Sequence, residues 1–350
     1  MELVERDWIL YIAAFACSFG ISLLATPFAK RWGLKLNAVT YPRERDMHKQ
    51  PMSRLGGVAI ILGFMVTAGI MAIFMEYFRS REFVGFAIGA LIIATTGIVD
   101  DLLGGTLSAR VKLVTQLVCA LVVVYSGIRI EIVFWPVTAY LQGFSVPFTI
   151  FWIIGMTNAV NLIDGLDGLA AGVSAIGAMC LMALCIISGS PLAVVLSATL
   201  AGSCLGFLPR NFNPAEVFMG DSGALFLGYV LAVSSIIGVF KGYTLLAVLV
   251  VIFAMALPIF DTLFAFTRRV VKGRSLKAWM EPDRGHLHHR LIDMGYSQKQ
   301  VVVILYGLSS ITALIAIVIA SQEILAILVT AIFLLVLLMV IFVYRKRTRK

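Results

Sequence analysis

The chain has 350 residues, of which 60% are hydrophobic and only 13% charged, with a mean hydropathy of +0.98 and a net charge of +9. A soluble domain is nearer half apolar and a quarter charged, so this composition excludes an ordinary soluble protein and implies a polytopic membrane protein. The five cysteines (Cys17, Cys119, Cys180, Cys185, Cys204) lie in apolar runs without CxxC or metal spacing, which excludes a disulfide framework.

Apolar runs of bilayer-crossing length predict an all-α fold of eleven transmembrane helices in a single domain, 1–350. The spans fall near 8–29, 57–75, 83–99, 112–128, 147–163, 169–187, 191–208, 222–240, 244–262, 301–320 and 324–343. The start is acidic and the first run is too long for a signal-peptide core, so it reads as a retained span. The segment 130–147, with Glu131, Trp135, Pro136 and Pro147, reads as a loop with interfacial aromatics.

An odd number of spans makes the charges segregate. Alternate loops, 30–54, 100–112, 209–221 and 263–300, together with the tail 344–350, hold 23 of the 28 lysines and arginines. The positive-inside rule places those loops in the cytoplasm, the N-terminus outside and the C-terminus inside. The basic tail reads as an anchor for anionic head groups, and nucleic acid is not an expected partner. Asp100, Asp101, Asp164, Asp167, Asp221, Asp261 and all four histidines fall at the same predicted face. Ionisable groups at membrane depth are costly, so one cytoplasmic-facing site is the simplest reading.

Along the chain, Lys49 and Arg54 precede the second span at head-group level, where they hold a lipid phosphate or only mark the cytoplasmic side. Asp100-Asp101 closes the third span. Adjacent carboxylates repel, so they want a cation or a shared proton, although a pair of acids is also common at a solvated helix end. Oxygen ligands beside a phosphate substrate suit magnesium. Arg110 and Lys112 follow, able to take up phosphate charge or simply to flank a span. The stretch Asn158 to Gly172 carries Asn158, Asn161 and Asp164 at intervals of three, which a helix would stack on one face. Asp164 and Asp167 each precede a glycine, so the backbone there can turn or approach a ligand closely. Arg210, Asn211 and Asn213 lie in the next polar loop. Asp221 sits where the eighth span begins, and a plain N-cap accounts for it equally well. Asp283-Arg-Gly-His-Leu-His-His-Arg290 gathers Arg284, His286, His288 and His289, a basic loop better suited to phosphate than to a second cation. Walker, GxSxG and HExxH motifs are absent from the sequence. The combination suits Mg²⁺-dependent phosphoryl transfer between a soluble nucleotide and a lipid phosphate. Transporters also carry buried acids and broken helices, but here the polar groups gather on one face and no inverted repeat is evident.

Asp100-Asp101, Asn158 to Gly168, Phe218 to Gly223 and His286-x-His-His289 resemble, in order, the four signatures of the polyprenyl-phosphate N-acetylhexosamine-1-phosphate transferases. The sequence is more similar to the WecA/TagO-like branch than to the MraY branch, which usually carries Pro-x-His-His-His in the last loop. The resemblance implies transfer of N-acetylglucosamine 1-phosphate from UDP-N-acetylglucosamine to undecaprenyl phosphate at the bacterial cytoplasmic (inner) membrane, with release of UMP. It implies Mg²⁺ (with Mn²⁺ as substitute) on Asp221 and Asn161, and Asp100 and Asp101 handling the lipid phosphate or the metal, with Asp100 as the deprotonating group. It further implies Lys112 on the diphosphate, with Arg110 as the alternative, and His286, His288 and His289 on phosphates or sugar. Lys49, Arg54, Asn158, Asp164, Asp167, Asn211 and Arg284 would then line the substrate pocket, with Asp261 a further match. Direct attack of the lipid phosphate on the β-phosphorus is the expected route, with a phospho-aspartyl enzyme as its rival. A homodimer is compatible with the family.

Overall fold

A computed structural model of the chain describes residues 7–41, 51–130, 142–239, 252, 255–263 and 287–321, apart from the side chains of Gln142, His288 and His289. It is a helical bundle. In chain order the helices are α1 (Trp8–Lys35), α2 (Gly57–Phe74), α3 (Arg81–Leu102), α4 (Ala109–Tyr125), α5 (Gln142–Ile163), α6 (Leu169–Ile187), α7 (Pro191–Asn211), α8 (Gly220–Gly238), α9 (Leu287–Asp293) and α10 (Gln298–Ser321). Eight of them are long and apolar enough to cross a membrane, and α4, at 17 residues, has nearly the same length. The chain is a polytopic membrane protein.

These helices coincide with nine of the eleven predicted spans. The spans near 244–262 and 324–343 lie outside the described residues, except that residues 256–263 are helical. α1 runs six residues beyond its predicted end. At 1.5 Å per residue it is about 42 Å long, more than the hydrocarbon needs, so its last turns continue past the apolar zone with Lys30, Arg31 and Lys35 on them.

Local chemistry explains the boundaries. Ser80 caps α3 by accepting from the Phe83 N–H, and Ser108 caps α4 by accepting from the Val111 N–H. α7 opens with Pro191 in its first turn, where its missing N–H costs no helical hydrogen bond.

α8 is the centre of the bundle. It packs against α2, α3, α5, α6 and α7, and it is buried on nearly every side. Lipid tails are as apolar as leucine, so such a helix is held by close packing and interhelical hydrogen bonds, not by escape from water. Phe226 meets Phe64 edge-on at 5.4 Å between ring centroids. The buried Tyr229 hydroxyl donates to the Phe86 carbonyl at 2.9 Å, and the Trp152 indole N–H donates to Ser235 Oγ at 3.1 Å. Around this centre α1 packs on α7 and α2, α6 on α7, α10 on α6 and α4 on α3.

At one end of the bundle a short antiparallel pair, β1 (Val39–Thr40) and β2 (Met52–Ser53), aligns Val39 with Ser53 and Thr40 with Met52. The chain then runs alongside residues 217–219. Phe218 N–H donates to Ser53 O, Gly56 N–H to Phe218 O and Gly57 N–H to Met219 O, all within 3.0 Å. These bonds fasten the start of α2 to the start of α8. The crossing requires glycine on both sides, because a Cβ on Gly57 would strike the Gly223 backbone.

Candidate active site

The polar residues converge where α2, α4 and α8 begin and where α3 and α5 end. Asp100 and Asp101 occupy the last turn of α3 and are fully buried. They face opposite ways. Asp100 Oδ1 accepts the Leu107 N–H at 2.8 Å, which closes the α3–α4 turn, while Oδ2 lies 2.5 Å from Lys112 Nζ. Asp101 turns to α8, accepting the Asp221 N–H at 3.0 Å on Oδ1 and the Ser222 N–H at 2.9 Å on Oδ2.

Lys112 sits in the first turns of α4, placed by the Ser108 cap. Its ammonium is 2.5 Å from both Asp100 Oδ2 and Asp221 Oδ2 and so bridges α3, α4 and α8. Arg110, two residues earlier, points to the exposed side. Of the two cations considered from sequence, Lys112 is the one that joins the carboxylates. Arg54, just before α2, completes the group: Nε is 3.4 Å from Asp101 Oδ1, Nη2 is 3.8 Å from Asp221 Oδ1, and Nη1 donates to the Gly104 carbonyl at 3.0 Å. Asp221 lies in the first turn of α8 and is not its N-cap, a position held by Met219.

The asparagine–aspartate stretch divides between helix and turn. α5 ends at Ile163, so Asn158 and Asn161 are helical, whereas Asp164 lies in the turn that follows. Its N–H still donates to the Asn161 carbonyl at 3.3 Å, so the helical path tightens before it breaks. Asp164 is partly buried and sits in the field of Asp221, Asp101 and Asp167. Burial first, then those carboxylates, push its pKa up to about 8, against the opposing pull of Arg54. Asn158 pairs with Gln116, a buried residue one turn along α4 from Lys112. Asn158 Nδ2 donates to Gln116 Oε1 at 2.7 Å, and Gln116 Nε2 donates back at 3.3 Å.

Asp167 and Asn211 hold the α7–α8 loop. Asp167 Oδ2 accepts from Asn213 Nδ2 at 3.1 Å and from the Ala215 N–H at 3.0 Å, and Asn211 Nδ2 donates to the Val217 carbonyl at 3.0 Å. From α10, Gln298 Oε1 accepts from Asn213 at 3.0 Å, and the Tyr306 hydroxyl donates to the Gly168 carbonyl at 2.5 Å. On the outer rim Glu216 pairs with Lys30 and Arg210; Lys30 first, then Arg210, holds its carboxyl below the usual range. Asp261 accepts the Leu287 N–H at 2.7 Å and so anchors the start of α9, which carries His288 and His289. Lys49, Arg284 and His286 lie outside the described residues.

Among the described residues, no three His, Cys, Asp or Glu side chains form a protein-only metal site. The donor set nonetheless fits magnesium, which takes one or two carboxylates and completes its shell with water and substrate phosphate. The charges agree: Asp100, Asp101 and Asp221 outnumber Lys112 and Arg54, and the Lys112 ammonium already stands between two carboxylate oxygens.

The sequence profile of glycosyl transferase family 4 matches residues 83–239, the stretch from α3 through α8 that contains Asp100, Lys112, Asn158, Asp164 and Asp221. The chain is also 38% identical over 327 residues to a probable undecaprenyl-phosphate N-acetylglucosaminyl 1-phosphate transferase of Bacillus subtilis, covering 92% of this chain and 88% of the relative. The chain belongs to glycosyl transferase family 4. This family 4 member is 36% identical over 317 residues to the decaprenyl-phosphate N-acetylglucosaminephosphotransferase of Mycobacterium leprae, covering 82% and 78% of the two chains. It is 32% identical over 310 residues to the phospho-N-acetylmuramoyl-pentapeptide-transferase of Caldanaerobacter subterraneus, covering 83% and 92%. Arg54, Asp261 and the histidine loop fall outside the profile match.

Proposed function

We propose that this chain transfers N-acetylglucosamine 1-phosphate from UDP-N-acetylglucosamine to undecaprenyl phosphate at the cytoplasmic face of a bacterial inner membrane, releasing UMP. The observation that carries the reading is the Lys112 ammonium held between Asp100 and Asp221 at one end of a membrane bundle, in a chain two of whose reported relatives are named as N-acetylglucosamine phosphate transferases acting on a polyprenyl phosphate. In the reaction, an oxygen of the lipid phosphate forms a bond to the β-phosphorus of the UDP-sugar. The bond from that phosphorus to the bridging oxygen breaks, and UMP leaves with the electron pair. Asp100, buried beside Lys112, takes the proton that the lipid phosphate still carries. Lys112 follows the charge as it moves to the leaving phosphate. Asp221 and Asn161 would hold Mg²⁺, and Mn²⁺ is the expected substitute. When bound, the ion neutralises the diphosphate. Asp164 would contact the nucleotide, and His286, His288 and His289 the phosphates or the sugar.

The sugar is tested by incubating purified protein with undecaprenyl phosphate, Mg²⁺ and a panel of UDP-sugars. UMP release with UDP-N-acetylglucosamine at a kcat/KM at least about a hundredfold above that with UDP-N-acetylmuramoyl-pentapeptide is expected, since a pocket built for one substituent pattern discriminates by several kcal/mol. A preference for the muramoyl substrate overturns the reading.

A further inference from the structure

The two adjacent aspartates differ in what they touch. Asp100 has one oxygen on the α3–α4 turn and the other on Lys112. Asp101 has both oxygens on backbone N–H groups at the start of α8, with Arg54 Nε as the third partner. A helix N-terminus presents unsatisfied N–H groups and a positive dipole end, and a buried carboxylate in that position is bound to the helix itself. The residue preceding Asp221 accommodates this contact. Gly220 has φ +72°, and a Cβ there would meet both Asp101 carboxylate oxygens and the Arg54 carbonyl.

Arg54 closes the arrangement. Its guanidinium touches Asp101, the Gly104 carbonyl of the α3–α4 turn and, at the longer distance of 3.8 Å, Asp221 itself. Its own carbonyl lies against Gly220, and the residues flanking it hydrogen-bond with Phe218. We propose that Asp101 and Arg54 are positioning residues, which brace the first turn of α8 against the end of α3 and so fix the Asp221 carboxylate opposite Lys112, and that substrate contact is left to Asp100. The inference rests on the assignment of Asp221 to the cation. It divides the acidic pair into one group that faces the reaction and one that builds the site, and it removes Arg54 from the set that holds the lipid phosphate.

The test is Mn²⁺ binding to purified, metal-free protein, followed by electron paramagnetic resonance without substrate, with melting temperature as the control for folding. Asp101→Asn keeps one acceptor and loses the charge. It is expected to weaken Mn²⁺ binding by at least about tenfold, the scale of a lost charge-assisted hydrogen bond. Arg54→Gln is the sharper variant because two effects have opposite signs. Removing a cation from beside several carboxylates would by field alone tighten Mn²⁺ binding, whereas loss of the brace loosens it, and we expect it to loosen by about threefold or more. Tighter or unchanged binding in Arg54→Gln, or unchanged binding in Asp101→Asn, overturns the proposal. If Asp101→Asn does not fold, Arg54→Gln decides alone. Asp221→Ala, measured alongside, separates the two levels. Undiminished Mn²⁺ binding there removes the cation assignment and the brace with it, whereas loss there combined with tightening in Arg54→Gln overturns the brace only.

Discussion

Lys112 shows how single residues acquire a role from their neighbours. Its ammonium would be an ordinary head-group cation on an isolated helix; placed 2.5 Å from Asp100 and Asp221, it becomes the link between three helices. Asp164 shows the opposite case, a carboxylate with more acids than bases around it. Its pKa in the folded protein is raised to about 8, first by burial and then by Asp221 and Asp101. The unfolded group titrates near 3.8, so the proton that folding retains on Asp164 stabilises the metal-free protein fully below that value, and the contribution is lost as pH rises through about 8. The melting temperature in EDTA should therefore fall between pH 5 and 9 by an amount that shrinks in Asp164→Asn, the pH window following from the linkage of about one proton. An unchanged slope in that variant would show that Asp164 is ionised throughout. The acids themselves were legible in the sequence, because charge is conspicuous among apolar runs. The opposed directions of Asp100 and Asp101 were not, since adjacent residues on a helix differ in direction only relative to partners that the sequence does not reveal.

Between elements, the placement of α4 against α5 depends on an amide pair. Gln116 and Asn158 satisfy each other in a buried setting one turn from Lys112, where an unpaired amide finds no water. Gln116→Leu and Asn158→Leu should each destabilise the purified protein by about 1–3 kcal/mol, because each removes the other amide's partner across the helices, and Gln116→Leu leaves Asn158 only its bond to the Ile154 carbonyl. The double leucine variant should lose less than the sum of the two, and strictly additive losses in thermal or denaturant unfolding would contradict the pairing. Asn158 stood out in the sequence because it lies in a cluster of polar residues, whereas Gln116 did not, since one glutamine in an apolar helix reads as a tolerated polar residue. Helix ends were read with similar unevenness. Most spans were placed within a few residues because their length is set by the bilayer. The end of α5 at Ile163 falls where the predicted span ends, but the spacing of three suggests that Asp164 would stack on the helix with Asn158 and Asn161, whereas the glycines after it let the backbone leave the helix. The roles of Asn213 and Tyr306 in holding the Asp167–Gly168 turn also depend on α10, more than eighty residues away in the chain.

For the whole molecule, the bundle brings to one end groups that the sequence spreads from Arg54 to Asp221. Charge segregation along the sequence supports our proposal that this end faces the cytoplasm. A cysteine introduced at Glu2 should react with a membrane-impermeant thiol reagent in intact cells, and one at Thr348 only after permeabilisation. Reaction of both from outside would overturn the odd span count. Family membership and the arrangement of Asp100, Lys112 and Asp221 lead to the central claim, a direct transfer of the β-phosphate and its sugar to a lipid phosphate. The most direct measurement uses UDP-N-acetylglucosamine labelled with ³²P at the β position, purified protein, undecaprenyl phosphate and Mg²⁺ under single-turnover conditions. The account predicts that the label passes entirely into the lipid product, that UMP is released unlabelled in equal amount, that no label is trapped on the protein, and that Asp221→Ala yields none of this at any Mg²⁺ concentration. Label in a competent protein-bound species, label that never reaches the lipid, or near-normal turnover by Asp221→Ala would contradict it.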